Sequence, residues 1–149
     1  MEATYNEQLL DAIAAEDGSA ALRLLKIGAD PEYLSNYKQT PLEIAIDNNS
    51  LEMAELLLQN GSDPNSQKGN ALPLITAIDA AVETTKNNDD VLEDSSEMIE
   101  LLLKYGADIL KQDFPDGRTP YDFAKGSAGG YHLPAQRLFE QILKNRSPQ

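Results

Sequence analysis

Thr40-Pro41-Leu42-Glu43-Ile44-Ala45-Ile46-Asp47-Asn48-Asn49-Ser50-Leu51-Glu52-Met53-Ala54-Glu55-Leu56-Leu57-Leu58-Gln59-Asn60-Gly61-Ser62-Asp63-Pro64-Asn65 reads as a helix, a tight turn, a second helix and a stop. Thr40 is placed to cap the first helix, Pro41 fits its first position, and Glu43 stands where a Thr-x-x-Glu capping box needs it. Asp47 to Ser50 breaks the chain, and Ser50 is placed to cap the second helix. Gly61 supplies the left-handed residue that ends it, and Pro64 prevents a restart. Both helices carry apolar residues, so this unit cannot bury its surface alone. It needs copies of itself on either side.

The copies are present. Gly28-Ala29-Asp30-Pro31 precedes Gly61-Ser62-Asp63-Pro64 by 33 residues, and Gly106-Ala107-Asp108 follows 45 residues later. The residues before each Gly match as well: Ala21 to Lys26, Ala54 to Gln59 and Ile99 to Lys104. Thr40-Pro41-Leu42-Glu43 returns as Thr119-Pro120-Tyr121-Asp122. A fixed period with matching helix starts and stops marks a repeat solenoid. With this period, the Thr-Pro-Leu start and the Gly-Ala-Asp end, the chain resembles the ankyrin-repeat family over about residues 6 to 145. The resemblance implies an all-α solenoid of about four helix-turn-helix repeats, joined by β-hairpin-like finger loops.

The expected organisation is one domain over residues 1–149, with repeats at about 6–38, 39–70, 71–115 and 116–146. The first repeat has a helix from about Asn6, with Asn6 as its cap, and a second from Ala20 to Ile27. It lacks the Thr-Pro-Leu start, as suits a terminal repeat with one solvated face. Residues 29–39 and 62–70 are the first two fingers. In the third repeat Leu72 stands in place of Thr, leaving Asn70 to cap. Pro41 lies 20 residues before Gly61, but Pro73 lies 33 before Gly106, so about 13 residues are inserted, at about 82–96. Ser95 or Ser96 is expected to cap the helix that follows. The fourth repeat has a long Gly-rich connection, Gly126 to His132, before a helix opened by Leu133-Pro134.

Composition narrows the function. A net charge of −13, with 12 basic residues against 25 acidic ones, disfavours nucleic acid and anionic membranes and favours a basic partner. No run of about 18 apolar residues marks a membrane span. Residues 1–7 lack the basic and apolar regions of a signal peptide, and there is no Cys, so the expected location is cytoplasmic. A single His, His132, and no Cys cannot build a tetrahedral metal site. The acidic run Asp89, Asp90, Glu93, Asp94 and Glu97 does not have calcium-loop spacing. No phosphate loop or catalytic pair is legible, so neither an enzyme nor a cofactor or metal site is expected.

Recognition remains. The resemblance implies a concave surface made of finger tips and the exposed residues of each first helix. Carried across one position at a time, it offers Asn36, Tyr37, Gln39, Asp47 and Asn48 in the second repeat. It offers Lys68, Asp79 and Ala80 in the third, and Asp116, Arg118 and Ser127 in the fourth. Tyr37 is the preferred anchor, followed by Tyr33 and Arg118, because aromatic and Arg side chains dominate interface energies. The insertion is a second candidate, with Asp89 and Asp90 as steering charges around Val91-Leu92. The expected function is a non-enzymatic protein-binding module, monomeric when unbound. Its closest description is a small acidic inhibitor or immunity-type protein that holds a basic enzyme or toxin. An adaptor that bridges proteins without inhibiting them is the alternative, and a ligand-binding protein or enzyme on this scaffold is the third.

Overall fold

A computed structural model describes residues 4–87, 96–113, 117–126 and 133–146, and every regular element among them is a helix. They come in pairs: α1 (Tyr5–Ala14) with α2 (Gly18–Lys26), and α3 (Pro41–Asp47) with α4 (Leu51–Gln59). The next two pairs are α5 (Pro73–Asn87) with α6 (Glu97–Lys104), and α7 (Pro120–Lys125) with α8 (Leu133–Arg146). First helices pack in one row, α1 on α3 on α5 on α7, and second helices in another, α2 on α4 on α6. The stack is the helical solenoid that the period predicts.

Small residues let the first row close up. Ala12, Ala45, Ala77 and Ala124 occupy the same position in successive first helices and are all buried. Without a longer side chain there, neighbouring axes can approach to the short end of the roughly 8–10 Å range. Leu9, Leu42 and Leu74 then fill one core column, and Leu24, Leu57 and Leu102 another. Where Ile44 and Leu56 face the preceding pair, the first pair carries the exposed charges Asp11 and Arg23. That end of the stack is therefore polar.

The helix ends follow the repeated motif. Gly28, Gly61 and Gly106 have φ of 105°, 105° and 97°, a region open to Gly at little cost. The N–H one residue further on returns to a helix carbonyl each time: Ala29 to Leu24, Ser62 to Leu57 and Ala107 to Leu102, all at 3.0 Å. Ser62 stands where the other pairs have Ala29 and Ala107. It is 5% exposed and its hydroxyl finds no hydrogen-bond partner among the described residues. A buried orphan hydroxyl costs free energy, so Ser62→Ala is expected to raise the unfolding free energy by about 1 kcal/mol. A fall in the urea midpoint would show instead that the hydroxyl is satisfied.

A ladder of Asp residues joins the pairs. Asp30, Asp63 and Asp108 each accept, through Oδ1, the N–H two residues on, from Glu32, Asn65 and Leu110 at 2.8–2.9 Å. Each Asp also donates its own N–H to a side chain earlier in the chain, on α1 for Asp30 and on the preceding finger for Asp63 and Asp108. Asp30 donates to Asn6 Oδ1, Asp63 to Glu32 Oε1 and Asp108 to Asn65 Oδ1, each at 2.7 Å. Glu32 and Asn65 are thus set by one rung and accept the next.

Several local expectations are corrected. Thr4, not Asn6, caps α1, in a complete capping box with Glu7; Asn6 is used by the ladder instead. Asp17 caps the second helix, which starts at Gly18 rather than Ala20. Asn70 sends its Nδ2 to the Tyr37 carbonyl at 3.1 Å. Ser96 precedes α6 but makes no side-chain capping bond. The insertion does not begin as a loop, because residues 82–87 prolong α5 to 15 residues against 7 in α3. Its remainder, residues 88–95, lies outside the described residues. The first finger closes on itself through Lys38 N to Ser35 O and Ser35 N to Gln39 O, both 2.9 Å, a hairpin-like turn with no assigned strand.

Candidate protein-binding surface

Thr40 fixes the site's framework. Its Oγ1 accepts the Glu43 N–H at 3.2 Å and starts α3 at Pro41, so that Asp47 and Asn48 end the helix at the surface. The equivalent turn of α5 places Asp79 at the position of Asp47, and both are exposed. Gln39, at the base of the first finger, donates Nε2 to Asp47 Oδ2 at 2.6 Å.

Although Asp47 is exposed, partial desolvation of its carboxyl is the main reason it lies above the usual carboxylate range, and the nearby Asp79 charge raises it further; the Gln39 bond acts the other way. The charge of Asp79, on the neighbouring helix, therefore reaches the Asp47 carboxyl. Glu43 lies beneath them, 3% exposed. Its Oε1 accepts the Ala71 N–H of the next finger at 3.4 Å. Desolvation raises its pKa most and Asp47 adds to this, while the backbone N–H groups of Ala71, Asn70 and Thr40 lower it.

A carboxyl raised in this way binds its proton more tightly in the folded chain than in the unfolded one. Its charge costs stability at neutral pH, and the cost disappears as pH falls through the folded value and below the ordinary one. Glu43 and Asp47 are thus expected to make the protein more resistant to urea as pH falls from about 7 towards about 4. Asp47→Asn should reduce that gain and raise the midpoint at pH 7. A midpoint that falls steadily over this interval would contradict the assignment.

The first finger carries the apolar part of the surface. Tyr37 is 82% exposed and Leu34 38%. The Tyr37 backbone is fixed at both ends, its N–H donating to Ser35 Oγ at 3.2 Å and its carbonyl accepting from Asn70. Lys38 beside it has a φ of 61°, costly for a residue with a Cβ, so the finger tip is a shaped turn. Asn36 is exposed, while Tyr33 is half-buried near the finger's base. Lys68 is exposed on the second finger, and Arg118 is exposed ahead of α7 with its guanidinium 5.6 Å from the Phe123 ring centroid.

The residues brought together are thus Gln39, Asp47 and Asp79, with Tyr37 on the finger that holds Gln39. Lys68 and Arg118 belong to later fingers. Asp89, Asp90 and Asp116, together with Val91, Leu92, Ser127 and His132, lie outside the described residues. Two contributors escaped the sequence reading: Glu43 as a tie to the next finger, and Asn70 as a support for Tyr37. Asn70 lies 33 residues after Tyr37, so the repeat spacing carried the signal.

Among the described residues no group of three or more His, Cys, Asp or Glu side chains gathers as a metal ion would require. No helix among them is long and apolar enough to cross a membrane.

Residues 24–77 match a family model described as ankyrin repeats, many copies. Over 90 residues the chain is 34% identical to ankyrin repeat and SOCS box protein 16 of Mus musculus. That stretch is 60% of this chain and 18% of the mouse protein's length.

Proposed function

Since the chain belongs to the ankyrin-repeat family, whose repeats bind protein partners, we propose that it holds a basic protein against the surface formed by Tyr37, Gln39, Asp47 and Asp79. The observation that carries this reading is the Asp47–Asp79 pair, exposed on successive helices and close enough for one charge to raise the other's pKa. A cation placed there relieves that repulsion, and an overall charge of −13 speeds its approach. Asn36, Asn48 and Tyr33 border the patch. Lys68 and Arg118, on later fingers, belong to the same reading, as do Asp89, Asp90 and Asp116, which lie outside the described residues.

Within that reading, the chain acts as a small inhibitor or immunity-type protein, working as a monomer in the cytoplasm and covering the working surface of a basic enzyme or toxin. An adaptor differs in leaving its partner's activity intact. Affinity capture from source cells, followed by mass spectrometry, tests both. Basic proteins are expected on the wild-type chain, released by salt, and retained about tenfold less by a double variant, Asp47→Lys with Asp79→Lys. Retention of acidic proteins alone, or of a complex indifferent to salt, would overturn the proposal. Loss of the captured protein's activity distinguishes inhibitor from adaptor.

A further inference from the structure

Charge is not spread evenly along the stack. Residues 117–149 carry five Lys or Arg and two Asp or Glu, a net charge of +3. Residues 1–116 carry seven and 23, a net charge of −16. The last helix pair is a basic cap on an acidic stack. Arg118, Lys125, Arg137, Lys144 and Arg146 are all exposed.

One of these cations lies over an aromatic ring, and two more flank the acid to which that ring's hydroxyl bonds. Lys125 Nζ lies 5.0 Å from the centroid of Tyr121, a position that the ring's negative face favours. Tyr121 Oη donates to Glu140 Oε1 at 3.4 Å, and Gln136 Nε2 donates to the same oxygen at 3.0 Å. Glu140 is the one acid on α8. Arg137 and Lys144 stand three residues before it and four after, so all three share a face of the helix. Among the described residues no carboxylate forms an ion pair with Arg137, Lys144 or Arg146. The single acid of α8 is engaged by neutral donors, and the cations around it face solvent.

The geometry points to a second docking surface, made by Lys125, Tyr121, Arg137 and Lys144, that takes a short segment of a partner protein rich in Asp and Glu. Charge complementarity names the occupant, and the rest of the chain limits its length. Seven residues of helix span about 10 Å, which matches about three residues of extended peptide. The next helix pair lies about 10 Å away and electrostatic screening acts over about 8 Å, so the patch attracts locally. A long polyanion, such as nucleic acid with a charge every ~1.7 Å of axis, would run onto the acidic repeats and be repelled. A short acidic segment would not. This surface is opposite in charge to the Asp47–Asp79 patch and independent of it, so both can be occupied at once.

Fluorescence anisotropy on the full chain, with a labelled peptide of about ten residues in which Glu alternates with Gly, tests the proposal at about 50 mM salt, where surface charges are weakly screened. Binding is expected, weakened about tenfold or more by Arg137→Glu with Lys144→Glu, and weakened also by the milder Arg137→Gln with Lys144→Gln. Asp47→Asn with Asp79→Asn should leave it in place. Circular dichroism confirms that each variant folds. Absence of binding by the folded wild-type chain, or binding unchanged by both α8 double variants, would overturn the proposal. Equal or tighter binding of a single-stranded oligonucleotide of similar length would also overturn it, in favour of a phosphate backbone.

Discussion

Leu57→Ala is expected to lower the unfolding free energy by about 3–4 kcal/mol, a typical cost for a fully buried Leu. Leu57 is 0% exposed, in a helix packed between α2 on one side and α6 on the other. Its carbonyl accepts the N–H groups of Asn60 and Ser62, both at 3.0 Å, so the helix end cannot shift freely to fill the void. Domains of this size are stable by only about 5–15 kcal/mol, which makes one such cavity a large fraction of the whole. A solenoid is coupled only through neighbouring pairs. Weakening the second pair should therefore separate the two ends of the stack as well as lower its stability. Urea unfolding followed by circular dichroism and by Tyr fluorescence checks both effects: an earlier midpoint and transitions that no longer coincide. A loss below about 1 kcal/mol would mean that the neighbouring helices collapse into the space.

Gly69→Ala should cost about 2 kcal/mol although the site is on a finger and not in the apolar core. A Cβ built at Gly69 collides with the carboxylate of Glu43. That carboxylate is almost fully buried and accepts from Ala71 N, so moving it strips a desolvated group of its donors. Backbone conformation does not enter, since Gly69 is not among the positive-φ glycines. A double-mutant cycle separates this collision from a general effect on the finger. Glu43→Ala should remove most of the penalty at Gly69, giving a coupling of about 1 kcal/mol or more. If the two losses simply add, Gly69 acts through something other than Glu43.

Most of the fold could be read from the chain because its determinants are local and repeated. Thr40, Thr119 and the glycines at 28, 61 and 106 act within a few residues of themselves and perform as their spacing suggests. Asn6 was misread for the same reason. It has the chemistry of a cap, but the Thr4–Glu7 box starts the helix two residues earlier and leaves Asn6 to a residue 24 positions away. The insertion was misread in the opposite sense. Repeat register placed an insertion at about 82–96, whereas the segment through Asn87 contains no Pro or Gly to stop a helix, and α5 continues into it. At the binding surface, register alone predicted that Asp47 and Asp79 would be exposed at matching positions. The Gln39–Asp47 bond and the burial of Glu43 depend on side-chain placement, which no spacing reveals.

The ladder of Asp N–H groups has a direction. Asn6, Glu32 and Asn65 precede the donors that they receive by 24, 31 and 43 residues. Every acceptor is therefore made before its donor during synthesis, and each new helix pair arrives at a rung that is already standing. At the third pair the place of Glu32 and Asn65 is taken by Leu110, whose side chain has no oxygen to offer onward. A nascent chain can thus close rung by rung behind the ribosome, and the first three pairs can finish without waiting for the fourth.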